Sequence, residues 1–236
     1  MSTTLPISET FTSLQGEGKL TGVPSWFCRL SGCNLRCTWC DTPYASWAPE
    51  KTPRTIDELV EEALASGTAH AVLTGGEPMI FKDLVPLSKR LVDHGFHITI
   101  ESAGTVLLPG VVCHLMSLSP KLSNSTPIND ERDPDGKWAA RHEQRRLNIA
   151  SLNELIASSR DRQLKFVVQS PTDLPEIESL LAQLQGFSPS DVMLMPEGVM
   201  MPTKDRVDWV VRTCLERGWS YCPRLQIQLF GDTRGT

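Results

Sequence analysis

Cys33-Asn-Leu-Arg-Cys37-Thr-Trp-Cys40 places three thiols within eight residues, at a C-x3-C-x2-C spacing. An odd number of thiols cannot all pair as disulfides. All three can turn inward on one loop, however, and offer thiolates to an iron–sulfur cluster or a metal ion. A four-iron cluster usually takes four cysteines, and no fourth lies nearby. A cluster held here therefore leaves one iron open, and an open iron is a place for chemistry. The alternative is a zinc loop completed by a distant residue.

Whatever holds that loop is a chain of 236 residues with 40% hydrophobic and 22% charged content, in the range of a soluble globular domain. The net charge of −5 gives no electrostatic footprint for a nucleic-acid backbone. One basic run, Arg141-His-Glu-Gln-Arg145-Arg146, is interleaved with an acid and reads as a solvated face. Residues 1–6 lack a basic stretch followed by an apolar one, and no run approaches the roughly 18 apolar residues of a membrane span. A cytoplasmic protein with reduced thiols, no membrane and no nucleic-acid partner is expected. Cys28, Cys113, Cys214 and Cys222 sit in apolar patterns, where buried inert thiols are the default.

Patterning supplies the fold class. A short strand from Ile7 runs into the turn Leu14-Gln15-Gly16-Glu17-Gly18, and Pro24–Leu30 is a second strand that delivers the cysteine loop. Thr55 and Glu58 form a capping box ahead of a helix with Ile56, Leu59, Val60, Ala63 and Leu64 on one face. Strands at Ala69–Leu73, His97–Ile100, Val111–Leu118, Leu164–Val168 and Val192–Met195 alternate with helices through Leu84–Leu91, Leu152–Ile156, Ile177–Leu184 and Lys204–Arg217. The chain finishes on alternating Leu225, Ile227 and Leu229. Strand–helix alternation predicts βαβ units and a parallel sheet, and about six such strands are too few for a closed eight-fold barrel. The expected fold is α/β: a partial TIM-like barrel with outer helices, in one domain spanning residues 1–236. Segment 122–146 breaks the pattern and is expected as a polar excursion on the surface. Loops after parallel strands gather on one face, where sites are built. Thr74-Gly75-Gly76-Glu77-Pro78, Glu101-Ser102, Ser119-Pro120-Lys121, Met195-Pro196-Glu197-Gly198 and the cysteine loop all fall at such ends.

The paired glycines let backbone approach a ligand, and the Glu77 carboxylate could receive an ammonium group. Read alone, a plain βα turn with a helix-starting Glu-Pro is the favoured explanation. Together with the three cysteines, Gly75-Gly76-Glu77-Pro78 resembles the radical S-adenosylmethionine (SAM) superfamily. Leu14-Gln15-Gly16-Glu17-Gly18, the run from Arg29 to Thr42, Ser119-Pro120-Lys121 and the C-terminal Arg224-Leu-Gln-Ile-Gln-Leu-Phe-Gly narrow the resemblance to the 7-carboxy-7-deazaguanine synthases, from about residue 7 onward. That family implies a carbon–nitrogen lyase. Its [4Fe-4S] cluster reductively cleaves SAM, and the radical takes a hydrogen from 6-carboxy-5,6,7,8-tetrahydropterin. Ring contraction with loss of ammonia then gives 7-carboxy-7-deazaguanine, an intermediate toward 7-deazapurines such as queuosine.

The resemblance also implies roles. Cys33, Cys37 and Cys40 would ligate the cluster, and Thr42 would ligate Mg²⁺, a hard cation suited to a hydroxyl oxygen. Gly76, Glu77, Glu101, Ser102, Ser119, Pro120, Lys121, Met195, Pro196, Glu197 and Gly198 would line the SAM site. Leu14, Gln15, Gly16, Glu17, Arg29, Thr74, Gln226 and Thr236 would contact the pterin substrate, with Arg29 on its carboxylate. Gln226 stands where the family commonly has histidine, so that position cannot become cationic near neutral pH. A flavodoxin- or ferredoxin-like one-electron donor and a homodimer are further family expectations. Two other readings share part of the pattern. A glycyl-radical activating enzyme would have no use for Gln15, Glu17 and Arg29. A non-catalytic zinc or iron–sulfur module would leave the strand-end motifs without a purpose.

Overall fold

The computed structural model describes residues 3–236. Its order begins β1 (Thr4–Leu14), β2 (Pro24–Leu30), β3 (Thr52–Thr55), α1 (Ile56–Ala65), β4 (His70–Gly75), α2 (Leu84–Asp93), β5 (His97–Ser102) and β6 (Leu115–Leu118). It continues with α3 (Lys137–Arg145), α4 (Ile149–Ser158), β7 (Asp161–Val168), α5 (Leu174–Leu181), β8 (Val192–Pro196), α6 (Lys204–Arg217), β9 (Ser220–Tyr221) and α7 (Leu225–Phe230). One sheet holds all the strands in the order β3-β1-β2-β4-β5-β6-β7-β8-β9. From β2 to β9 every neighbouring pair is parallel, whereas β1 runs antiparallel to both β2 and β3. Strands β3 and β9 are the free edges, as expected for a partial barrel. No described helix is long and apolar enough to cross a membrane.

Each parallel strand sorts its side chains by a period of two. On β7, Leu164, Phe166 and Val168 are fully buried in the core shared with the helices. Lys165 and Val167, between them, line a cavity on the opposite face. The same split puts Cys28 and Leu30, Leu73, and Ile98 and Ile100 in the outer core, with Phe27 and Arg29, Thr74, and Glu101 facing the cavity. Helices α1 and α2 cover the outer face through Leu59, Val60, Leu84, Leu87 and Leu91. Helix α1 starts at the expected capping box: Thr55 Oγ1 accepts the Glu58 N–H at 3.2 Å, and Glu58 accepts the Thr55 N–H at 2.7 Å. Such a cap is worth about 1 kcal/mol.

Three departures from the sequence reading have physical reasons. Strand β6 is shorter than Val111–Leu118 because His114 Nδ1, rather than a strand carbonyl, accepts the Ile98 N–H at 3.0 Å. The terminal Leu225/Ile227/Leu229 alternation is a short helix, and none of its residues is buried, so the alternation reports no buried face. Segment 122–146 is more than a surface excursion: it contains α3 and buries Ser125, Asp133, His142 and Arg146 behind the cysteine loop.

Candidate active site

The cysteine loop leaves β2 at Leu30 and is tied on every side. Gly32 N–H donates to the Ala45 carbonyl at 2.8 Å, and Glu77 N–H donates to the Gly32 carbonyl at 2.9 Å. From behind, Arg36 N–H donates to His142 Nδ1 at 3.1 Å, and Thr38 N–H to the Ser125 carbonyl at 2.8 Å. His142 Nε2 bonds Ser125 Oγ at 2.9 Å. A backbone amide only donates, so Nδ1 must accept and the imidazole is neutral with its proton on Nε2. Trp39 Nε1 donates to the Asn124 carbonyl and Trp47 Nε1 to the Cys37 carbonyl. The loop's polar groups are thus paired with the scaffold rather than with water, which fixes its shape.

Cys33, Cys37 and Cys40 are free thiols, and all three line one cavity of about 710 Å³. Burial pushes the Cys33 thiol up to about 12 and raises that of Cys37 as well; Lys121 opposes the rise at Cys37. As thiolates they need a cationic partner. Among the described residues, no three Cys, His, Asp or Glu side chains converge on a single-ion site. A tetrahedral zinc would hold its thiolates about 3.8 Å apart. Three thiols around a shared cavity instead suit a polynuclear cluster, in which each binds a different iron.

Gly75 and Gly76 allow β4 to close against that loop. A Cβ on Gly76 would lie 2.6 Å from the Ala45 carbonyl oxygen and 2.7 Å from Cys33 Cβ, and closer still to the Gly32 oxygen. Glu77 turns away from the cavity. It is fully buried, accepting from Met79 N–H and Ser102 Oγ on one oxygen (3.0 and 2.9 Å) and from Ala103 N–H on the other (2.8 Å). Burial raises its pKa despite these donors. It clasps the ends of β4 and β5, and its oxygens are engaged with the protein rather than open to an ammonium group. Ser102, Ser119, Lys121 and Met195 line the cavity beside the thiols, with Lys121 Nζ 2.9 Å from Ser119 Oγ. Thr42 lies at the same end, its Oγ1 3.8 Å from Cys40 Sγ and 3.4 Å from Asp41 Oδ1.

The other end of the cavity is built by a segment arriving from the opposite direction. Because β1 is antiparallel to β2, Leu14 pairs with Pro24, where β2 begins. Leu14–Glu17 therefore reach the cavity from the side away from the cysteine loop. Gln15 Nε2 donates to Glu101 Oε1 at 3.2 Å. Glu17 receives Lys165 Nζ at 2.5 Å, Gln226 Nε2 at 2.8 Å and Arg224 Nε at 3.3 Å. Burial alone would raise the Glu17 pKa; the charges of Lys165 and Arg224 outweigh it and hold the carboxyl well below its usual range. Gly16 packs on Gln226 so closely that a Cβ would sit 2.6 Å from Gln226 Cδ. Arg224 also pairs with Asp41, which ties this layer to the cysteine loop.

Arg29 lines the cavity with Nε 2.7 Å from Glu9 Oε1, which also accepts from Tyr44 Oη at 2.8 Å. Arg234 pairs with Glu9 and Glu50 and lies over the Tyr44 ring, drawing the C-terminal segment to the cavity wall, where Thr236 is found.

The structure thus gathers Cys33, Cys37, Cys40, Thr42, Leu14, Gln15, Gly16, Glu17, Arg29, Thr74, Gly76, Glu101, Ser102, Ser119, Lys121, Met195, Gln226 and Thr236 around one cavity. Glu77, Pro120, Pro196, Glu197 and Gly198 stand outside its lining. Sequence reasoning passed over Lys165, Arg224, Asp41 and Arg234. Lys165 carried a local signal, as a charge inside the apolar run Leu164–Val168, and Asp41 and Arg224 fall in the runs that carry the family resemblance without a role attached to either. The other three owe their positions to partners far away in the chain.

Residues 29–121 match the family model described as the Radical SAM superfamily. A 7-carboxy-7-deazaguanine synthase of Rhodopirellula baltica is 50% identical over 98% of this chain and 89% of its own length. One from Halobacterium salinarum is 47% identical over 98% of this chain and 93% of its own. Among solved structures, the crystal structure of QueE from Escherichia coli aligns with a TM-score of 0.68 at 28% identity, covering 93% of each chain.

Proposed function

This chain belongs to the 7-carboxy-7-deazaguanine synthase family of radical SAM enzymes, and from that premise we propose how its cavity divides the work. The chain is a carbon–nitrogen lyase that uses a [4Fe-4S] cluster and SAM to convert 6-carboxy-5,6,7,8-tetrahydropterin into 7-carboxy-7-deazaguanine. When bound, the cluster supplies the electron that cleaves SAM into the hydrogen-abstracting radical. Everything else falls to the protein's own groups.

Cys33, Cys37 and Cys40 hold the cluster at one end of the cavity. Gly76 gives SAM close backbone approach there, and Ser102, Ser119, Lys121 and Met195 form the rest of its wall. Glu77 keeps that wall in place through Ser102 and Ala103, while Pro120, Pro196, Glu197 and Gly198 shape the strand ends behind it. At the far end, Leu14, Gln15, Gly16, Glu17 and Gln226 receive the polar edge of the pterin, and Thr74, at the C-terminal end of β4 beside Arg29, is a further substrate contact. Arg29 takes its carboxylate, with Thr236 closing over it. Thr42, beside Cys40 at the thiol end, would contribute a ligand for Mg²⁺. A flavodoxin- or ferredoxin-like carrier delivers the electron, and the working unit is a homodimer built from the single domain 1–236.

The observation that carries this reading is that one cavity has three free thiols at one end and the Gln15–Glu17–Glu101–Arg224 layer at the other. Radical transfer needs cofactor and substrate within one water-excluding space. The test is anaerobic reconstitution with iron and sulfide, followed by turnover of carboxytetrahydropterin with reductant, SAM and Mg²⁺. Mass spectrometry should find 7-carboxy-7-deazaguanine. If 5′-deoxyadenosine forms without that product, the substrate assignment is wrong. A colourless protein holding zinc would overturn the cluster as well.

A further inference from the structure

Lys165 has no assigned role, yet it is the most deeply buried ammonium in the cavity wall. Only 4% of its side chain is exposed, against 13% for Glu17 and 22% for Glu101, the two carboxylates it bridges. Its Nζ lies 2.5 Å from Glu17 Oε2 and 3.4 Å from Glu101 Oε2. Those carboxylates come from the loop after β1 and from β5, while Lys165 comes from β7. Three distant segments thus meet on one ammonium group.

We propose that Lys165 is a positioning residue for the substrate: seated between Glu17 and Glu101, it fixes the two carboxylates as a joint acceptor for the N–H donors along one edge of the bicyclic substrate. The inference rests on the pterin reading above. The 2-amino-4-oxopyrimidine edge of a pterin presents an exocyclic amine and a ring N–H side by side, and carboxylate oxygens are their natural partners. A carboxylate has about four acceptor positions. Glu17 uses three of them, on Lys165, Arg224 and Gln226. Glu101 uses two, on Gln15 and Lys165. Acceptor capacity therefore remains on both carboxylates, held in place by Lys165 between them. Gln226 Oε1 is a further buried acceptor without a partner in the same layer.

An ammonium suits this task because it is a compact charge with three donors that can serve two carboxylates at once. The charged and titratable groups around Lys165 are Glu17, Glu101, Cys222 and Arg224, with Asp41 on the far side of Arg224. Burial favours loss of the lysine proton, but the two carboxylates outweigh it and keep the ammonium charged. Without Lys165, Glu17 and Glu101 would share a poorly hydrated site with only Arg224 to balance them. Burial then favours protonation of Glu17, which Lys165 no longer opposes, and a protonated carboxyl meets the substrate's N–H donors poorly.

The test measures binding of 6-carboxypterin, by its own fluorescence, to the reconstituted holoenzyme between pH 6 and 8, together with KM and kcat for carboxytetrahydropterin. The variants are Lys165→Met, Lys165→Arg, Glu17→Gln and the double Lys165→Met/Glu17→Gln. In the wild type, binding should be flat across this range. K165M should bind about tenfold more weakly or worse at pH 8, and weaker still toward pH 6, mainly through KM. K165R should restore most of the affinity and the flat profile. Adding K165M to E17Q should cost less than the roughly tenfold loss expected of K165M alone, since Lys165 acts in part through Glu17 and in part through Glu101. If K165M is insoluble, the double variant, in which a neutral pair replaces the ion pair, decides by comparison with E17Q. A K165M profile that is flat and within twofold of wild type, or losses that simply add in the double variant, would overturn the proposal. A wild-type enzyme that neither binds 6-carboxypterin nor turns over the tetrahydropterin would instead overturn the substrate reading.

Discussion

Gly76→Ala is the smallest change that should dismantle the thiol end of the cavity. The added methyl would stand 2.6 Å from the Ala45 oxygen and 2.7 Å from Cys33 Cβ, with the Gly32 oxygen closer still. Ordinary contacts to carbon are about 3.5 Å, so the methyl overlaps all three neighbours by most of an ångström or more. Two of these are backbone atoms and the third is a Cβ, so no rotamer change relieves them. The cysteine loop itself has to move. Overpacking of this kind costs about 1–3 kcal/mol, and rigid neighbours put G76A at the upper end, about 3 kcal/mol. For a domain of this size each kcal/mol lowers Tm by about 2–4 °C, so the expected drop is roughly 6–12 °C.

Gly95→Ala is the matched control. Its Cβ would meet nothing within 4 Å, although its φ of +86° disfavours any side chain. It should cost about 1–2 kcal/mol from backbone strain alone. The assay is thermal unfolding together with iron content after anaerobic reconstitution. G76A should lose both stability and iron, while G95A should lose some stability and keep its iron. If G76A binds iron like the wild type and melts within a degree of it, the close packing of β4 against the cysteine loop is not what shapes the cluster site.

Two further outcomes follow from named contacts. Arg29→Ala should raise KM for the carboxylated substrate roughly 10- to 100-fold, the range for losing a hydrogen bond between charged groups, while reductive cleavage of SAM without substrate continues; equal loss of both activities would contradict the assignment. His142→Phe should release the Arg36 N–H and Ser125, lowering stability by about 1–3 kcal/mol and reducing iron loading, as read by unfolding and iron analysis. In the wild type, burial holds the His142 pKa at about 4, against 6.5 for the unperturbed group. The unfolded chain therefore gains a proton as pH falls through 6.5, and the folded chain does so only near 4. This residue's contribution to stability is present above pH 6.5 and is lost between 6.5 and 4. H142F should flatten the acid limb of the stability curve, and an unchanged limb would rule out His142 as its source.

The helices and most strands were readable because one face of each is apolar against the outer core, and a period of two or 3.6 reports that face directly. Helix α6 has its expected bounds because Gly218, in the left-handed region, ends it. Helix α7 was not readable in the same way, because it has no buried face to report. Two inward residues of the basic run were missed for a related reason: Arg141–Arg146 reads as a solvated surface, but α3 turns its histidine, His142, inward and Arg146 follows it into the interior. Local periodicity says which residues share a face; it does not say what stands opposite them. That is why Lys165 could be seen as an oddity in a strand, but not as the partner of a glutamate 148 residues away.

Charge pairing explains which part of the site escaped the sequence. Glu9, Glu17, Glu101 and Asp41 all line or border the cavity, and each has a cation brought from another segment: Arg29 and Arg234, Lys165 and Arg224, Lys165, and Arg224 respectively. Leaving Lys165 or Glu17, the most buried of these charges, without its partner would be strongly destabilising, so that pair must assemble with the fold. Lys121 differs. It lines the cavity from the end of β6, lies over the Trp39 ring, bonds Ser119, and has no carboxylate partner among the described residues. Its charge opposes the effect of burial on Cys37. The wall around Glu17 and Glu101 has its acids paired within the protein, whereas the thiol end has in Lys121 a cation with no carboxylate partner among the described residues. That asymmetry matches a ligand set of three thiolates, whose negative charge the protein must meet with a group of its own.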